Sequence, residues 1–409
     1  MNEYAVYVLA ALFACYLLEV TADALNLRAL SPSPPAPLAH LVDGDRYARS
    51  QEYVRAKTTY ALLSRTFDLV VLLIFWFAGG FGWLDELVRG LGYGPIVTGL
   101  CFLGCLMVAK SVLGLPFSWY YTFGLEERFG FNRTNAKTFW GDRIKGILLG
   151  VLLGGPLLGA ILLFFEKTGD SAWLWCWGVM TAFTVVLQFV APTWIFPLFN
   201  KFQPLEDGEL RDKLLAYAGK VDFPLQDVYV IDGSRRSSKA NAFFTGFGKN
   251  KRVALFDTLI EKHAPEELVA IVAHEIGHFK RGHIIKGLVL GIVQTGVMFF
   301  LLSLILGNTA LFEAFHVAEP STYVGLVIFG LLYAPVDLAL SIAMQAFSRK
   351  NEFEADGFAR ETTGEGEKLV SALQNLSTDH LDNLTPHPFY VALHYSHPPL
   401  LARVEALRA

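Results

Sequence analysis

His274, Glu275 and His278 form the pattern HExxH inside the stretch VAHEIGHFKRGHIIKGLVLGIVQ, residues 272–294. On a helix, residues four apart share a face, so the two imidazoles converge at metal-binding distance. Glu275 stands beside them, placed to take a proton from a water that the metal polarises. Two histidines hold zinc weakly, so a third protein ligand is required, with the fourth position left to water. Zn²⁺ fits this donor set best, and divalent cobalt and manganese suit the same donors.

One known pattern supplies a third histidine as HExxHxxGxxH, but the corresponding positions here are Arg281 and Ile284. His283 misses that register by one. On a continuing helix it points well away from the His274/His278 face, so it is expected to be a helix-end or interfacial residue. The other source is a carboxylate on a second helix, and SRKNEFEADGFARE (348–361) offers one. Glu352 and Asp356 are four apart and share a face, whereas Glu354 lies about 200° round from Glu352. Glu352 is therefore expected as the third ligand and Asp356 as the acceptor that orients a ligand histidine through its other ring nitrogen. Without HExxH the same acidic cluster would read as a solvated helix face.

Two further stretches bear on the chemistry. HYSHPPLLARVEAL, near the C-terminus, puts His394 and His397 on a loop before a Pro-Pro stop, and one of them is placed to stabilise an oxyanion. The alternative for each is a capping or packing histidine. KANAFFTGFGKNKRVALF (239–256) reads as two short strands joined by a Gly/Asn turn. An edge strand there would hold an extended peptide by backbone pairing, and the competing reading is a hairpin that merely packs on the metal-binding helices.

The elements that must position these residues are largely membrane helices. The 409 residues are 53% hydrophobic and only 18% charged, with 33 Phe, and the mean hydropathy is +0.40. That composition lies outside the range of soluble domains and fits a mostly α, multi-pass membrane protein. Seven stretches are long enough to cross a bilayer, near 4–26, 58–80, 95–118, 144–165, 172–198, 284–306 and 323–345. Residues 1–198 thus hold spans one to five with their loops. Residues 199–283 form a metallopeptidase-like insert with a small β-sheet, 284–345 hold spans six and seven, and 346–409 carry the third ligand.

Lysine and arginine alternate between the connections. Segment 27–57 has five and 119–143 has four, against Arg89 alone in 81–94, Lys167 alone in 166–171 and none in 307–322. This places the N-terminus outside and the catalytic insert on the cytoplasmic side. The first span lacks a basic leader region and reads as uncleaved. Glu19, Asp23, Arg65, Asp68, Lys110 and Asp337 fall at membrane depth, where they must pair with one another or face a watery interior. A net charge of −4 gives no basic field for nucleic acid. The four cysteines lie in apolar runs without a CxxC spacing and read as packing residues.

Taken together, HEIGH, NEFEAD, NAFFTGF…KNKRVALFDTL, PLFNKFQPL (197–205), EERFGFNRTN (126–135) and HYSHPPL (394–400) resemble the type I CAAX prenyl protease family over roughly residues 53–401. The resemblance implies seven helices around a water-filled chamber closed by a zinc metallopeptidase domain. It implies one zinc per chain on His274, His278 and Glu352, with Glu275 as base. It further implies Asn241 and His397 beside the scissile bond, with Phe243 of the same strand as a substrate contact. The family removes the last three residues of proteins ending in a motif with a prenylated cysteine. Peptides or lipid-modified proteins are the expected partners, with membrane lipids around the spans. The Ala/Leu/Gly-rich composition, and an end in VEALRA with no di-lysine type signal, point to a bacterial inner membrane more than to the endoplasmic reticulum. The rival readings are a quality-control peptidase with broad specificity and, from another class, a transporter or scaffold.

Overall fold

The computed structural model describes residues 2–40, 42–245 and 251–409. Seven helices are long and apolar enough to cross a membrane: Glu3–Arg28, Gly44–Phe77, Pro95–Glu126, Ala136–Lys167, Gly169–Phe199, His283–Ile305 and Thr322–Thr363. They match the seven sequence stretches in order. Two run well past the apolar core, because their polar continuations keep helical spacing and meet no breaker. The second starts at Gly44, where the Asp43 side chain caps it by accepting from the Arg46 N–H. The seventh continues without interruption through Pro335 and on to Thr363, ending at Gly364 in a left-handed conformation.

Only 6–17% of each span's apolar window is buried. Neighbouring spans pack on one another, the fourth on the fifth, the fifth on the sixth and the first on the seventh, while most of each apolar window stays accessible. Their tightest packing lies at the end remote from HExxH. There Trp76 stacks on Phe315 at 4.4 Å, and Phe81, Phe102, Phe312 and Tyr323 complete an aromatic plug. Of the membrane-depth charges, Arg65 reaches Asp23 at 2.7 Å and Glu19 at 2.8 Å. Asp68, Lys110 and Asp337 have no ionic partner within 4.0 Å among the described residues and are solvent-accessible.

The insert between spans five and six builds a four-stranded sheet in the order β1-β2-β4-β3, with β1 Phe202–Pro204, β2 Leu225–Ile231, β3 Ala242–Thr245 and β4 Lys251–Phe256. The outer pairs are antiparallel and β2 runs parallel to β4. The expected strand pair at 239–256 is present as β3 and β4, while the expected Gly/Asn turn, 246–250, lies outside the described residues. Among the described residues β3 is an edge, with no strand on its outer side, so one row of its backbone groups is open to another strand. Behind the sheet, Val228, Val253 and Leu255 pack with Leu268, Val272 and Ile276 of the HExxH helix, Pro265–Lys280, in one buried core. Arg236 locks this unit to the membrane part, donating to both carboxylate oxygens of Asp142 at 2.7 and 3.0 Å and to Asn200 at 2.6 Å.

Candidate active site

The HExxH helix starts at Pro265, where the missing N–H is no loss, and its apolar face enters the core under the sheet. Its N-terminal turn is tied down by Glu267, which accepts from Ser371 and Asn375 and pairs with His263 at 2.9 Å. Gly277 lets the helix lie directly on the extension of the seventh span. A Cβ there would sit 3.1 Å from both the Cα and the carbonyl oxygen of Ala355. Ala355 lies between Glu352 and Asp356, so this close approach brings the acidic face onto the histidine face.

His274 Nε2, His278 Nε2 and a Glu352 oxygen all lie within 4.8 Å of one another. The two Nε2 atoms are 3.2 Å apart, and Glu352 approaches them at 3.4 and 3.2 Å. Glu352 is 4% exposed, yet its Oε2 has no hydrogen-bond partner. A buried, unsatisfied carboxylate oxygen facing two imidazole nitrogens is what a divalent cation would satisfy. The donor set therefore fits a metal.

The surroundings fix the tautomers. Asp356 Oδ1 is 2.8 Å from His274 Nδ1, approached off the direction of the ring N–H bond. A carboxylate only accepts, so that nitrogen carries the proton and Nε2 keeps its lone pair. On the other side, His283 Nε2 lies 3.1 Å from the Glu354 carboxylate, and His283 Nδ1 lies 3.0 Å from His278 Nδ1. Glu354 accepts a hydrogen bond from the Nε2–H of His283, so His283 Nδ1 accepts, His278 Nδ1 donates, and His278 Nε2 is also left free. Both lone pairs point into the same space.

His283 is the helix-end residue that the sequence led us to expect, but its direction corrects that reading, because it faces His278. The HExxH helix does not continue; it ends at Lys280, and Gly282, with a φ of +70°, caps a new helix that starts at His283 and turns that side chain back onto His278. Arg403 is a residue that the sequence reading passed over. It is 8% exposed and donates to both Asp356 oxygens at 2.8 and 2.6 Å, while lying 3.6 Å from Glu352. Its only sequence signal is a position on the short helix that follows the Pro-Pro stop.

Glu275 lines a cavity of about 460 Å³ with His274, Asn241, Ala242, His397 and Arg403. Burial pushes its carboxyl up, against the pull of His274 and His278. His274 is also shifted: burial opposes its charged form, but Asp356 and Glu352 outweigh that and bring it up to about 9, so a metal taking Nε2 would have to displace a proton from it. His397 Nε2 is 3.4 Å from Glu352, with Nδ1 2.8 Å from Ser396 Oγ. His394 instead turns to the first span, 3.5 Å from Glu19. Phe243 is not among the residues lining the cavity; its ring packs edge-on against Phe196 at 5.6 Å.

Two family models together match nearly all of the chain from residue 23 onward. The first, CAAX prenyl protease N-terminal, five membrane helices, matches residues 23–201, and the second, peptidase family M48, matches 204–409. The chain belongs to peptidase family M48. Among its M48 relatives, the CAAX prenyl protease 1 homolog of Oryza sativa is 36% identical over 98% of this chain and 96% of its own. CAAX prenyl protease 1 of Saccharomyces cerevisiae is 34% identical over 91% and 88%. The crystal structure of S. mikatae Ste24p superposes with a TM-score of 0.95 at 31% identity, covering 100% of both chains. In this M48 chain the first family region ends just before β1, so the five membrane helices and the sheet-bearing peptidase part meet at the boundary the Arg236–Asp142 lock spans.

Proposed function

We propose that this chain is a membrane-embedded zinc endopeptidase of the CAAX prenyl protease type, cutting near the C-terminus of prenylated proteins. The observation that carries the reading is the convergence of His274, His278 and Glu352 within 4.8 Å beside Glu275, under the free edge of β3. One zinc, held by those three ligands, would polarise the attacking water and the scissile carbonyl.

The chain's own groups do the rest. Glu275 takes the proton of the water as it adds to the carbonyl carbon and passes it to the leaving amine, a task suited to a carboxyl whose pKa burial has raised. His397, on the open side of the cavity, donates to the developing oxyanion. The edge of β3 pairs with the substrate backbone, and Asn241 aligns it. Asp356 and the His283–Glu354 pair hold the imidazoles in the tautomers that leave both Nε2 atoms free. The basic connections argue that the cavity faces the cytoplasm, where a lipid-linked C-terminus would be presented.

A second reading, a quality-control peptidase with broad specificity, is favoured by the β3 edge, since backbone pairing tolerates many sequences. One experiment separates them: cleavage by the purified protein of a farnesylated CAAX peptide and its non-prenylated counterpart, each repeated with Glu275→Gln. Cleavage that needs both the lipid and Glu275 supports the CAAX reading. Equal, Glu275-dependent rates support the second, and undiminished activity of Glu275→Gln with metal content unchanged would overturn the mechanism.

A further inference from the structure

The free edge of β3 gives a bound substrate a direction. Antiparallel pairing is the more stable mode, so a peptide added there runs opposite to β3. Residues C-terminal to the cut then lie past Asn241 and Ala240, towards Lys239 and the second span. On the proposed reading about three residues follow the cut, or about 10 Å of extended chain, ending in a carboxylate.

Two ammonium groups stand at that end of the strand, both close to the Tyr53 ring. Lys239 Nζ is 4.9 Å and Lys57 Nζ 5.2 Å from the ring centroid. Lys239 is fully engaged, donating to Tyr53 Oη at 2.6 Å and to Glu126 at 3.1 Å. Lys57 is not. Among the described residues it has no carboxylate within 4.0 Å and makes no hydrogen bond, although it is solvent-accessible. The charges it feels come from inside the protein: Lys239, Glu126 and Asp382. Among the described residues Asp382 also lacks an ionic partner within 4.0 Å, and it lines the same cavity as His274 and Glu275. Lys57 is not itself among the residues lining that cavity; it is a spare cation that shares the Tyr53 ring with Lys239, whose neighbour Ala240 lines the cavity on the side where the substrate's C-terminal end must lie.

We propose that Lys57 binds the terminal carboxylate of the substrate, which makes a free carboxyl end a specificity determinant of the cavity. This rests on the endopeptidase reading with a short C-terminal leaving piece. Lys57 forms a charge-assisted contact with a group that an internal peptide segment lacks.

The test uses the full-length detergent-solubilised enzyme and two farnesylated peptides that differ only in a free-acid or amidated C-terminus. The expected result is a KM at least tenfold lower for the acid in the wild type. In Lys57→Gln the two KM values converge, and Lys57→Arg restores the gap; metal content and melting temperature report folding of each variant. Where Lys57→Gln does not fold, Asp382→Asn stands in, and removing that opposing charge widens the acid preference. Equal KM values in the wild type, a preference that survives Lys57→Gln, or a ratio unmoved by Asp382→Asn overturns the proposal. If no farnesylated peptide is cut, the proposed function itself fails. The acid–amide comparison then moves to an unmodified peptide that is cut, and equal KM values there overturn the role of Lys57 as well.

Discussion

His283 Nδ1 stands 3.0 Å from His278 Nδ1, across a helix break at Gly282. The contact extends the ligand set outward to Glu354, so the imidazole of His278 is aimed by a chain of two acceptors rather than by packing alone. Removing His283 leaves the metal ligands in place but frees the ring. His283→Ala is expected to lower zinc affinity about 10–100-fold, measured by competition with a chromophoric chelator. An affinity equal to wild type would reduce His283 to a helix-end residue.

Arg403 is the counter-cation for two buried carboxylates at once. Replacing it by Met leaves Asp356 with only His274, and breaking a buried pair in this way costs about 3–5 kcal/mol. Bound zinc supplies charge at the same place. The loss of melting temperature in Arg403→Met should therefore be larger in chelator-treated protein than in zinc-loaded protein, and an equal loss in both states would contradict this role.

Gly277 is required by clearance, since its φ is not in the left-handed region. Overpacking a filled interface costs about 1–3 kcal/mol. Gly277→Ala should lower stability modestly. Gly277→Val should in addition separate the two helices and lower the zinc content of the purified protein, determined by elemental analysis. Full zinc occupancy in the Val variant would show that the Ala355 contact does not set the ligand geometry.

A pH effect follows from His380, whose Nε2 accepts from the Ala240 N–H at 3.0 Å, just ahead of β3. Burial, with Lys239 and Lys262 nearby, pushes this imidazole down to about 4. The unfolded chain takes up the proton near 6.5, so between there and about 4 it binds a proton that the folded state refuses. Stability contributed by His380 is thus complete above about pH 6.5 and falls as the pH drops, by roughly 3 kcal/mol over the window. His380→Gln keeps an acceptor without the titration, and its melting temperature should be flatter between pH 6.5 and 4.

The seven spans, the HExxH pair and Glu352 were legible because each depends on local information: apolar length, or spacing on one helix. Glu352 could be preferred to Glu354 from helix geometry alone, and the structure places Glu352 with the histidines and Glu354 with His283. The direction of His283, though not its place at a helix end, was misread because Gly282 redirects the chain, and nothing marks that glycine as the point of redirection. Arg403 was passed over for a different reason. A buried arginine is recognised by what it pairs with, and Asp356 lies 47 residues away. The engagement of Lys239 with Tyr53 and Glu126 is likewise a product of tertiary structure, built from three distant segments.

The unbroken seventh helix makes the metal ligand set answer to the bilayer. Glu352 and the mid-membrane residue Tyr333 belong to one rod, separated by about 28 Å of helix. Tilting that rod by one degree about Tyr333 swings Glu352 through about 0.5 Å if nothing yields. Zinc–ligand distances tolerate deviations of only about 0.2 Å. A change in hydrocarbon thickness, which helices accommodate by tilting, is therefore felt at the ligand set as a change in fit, and the Gly277–Ala355 contact is the brace that opposes it.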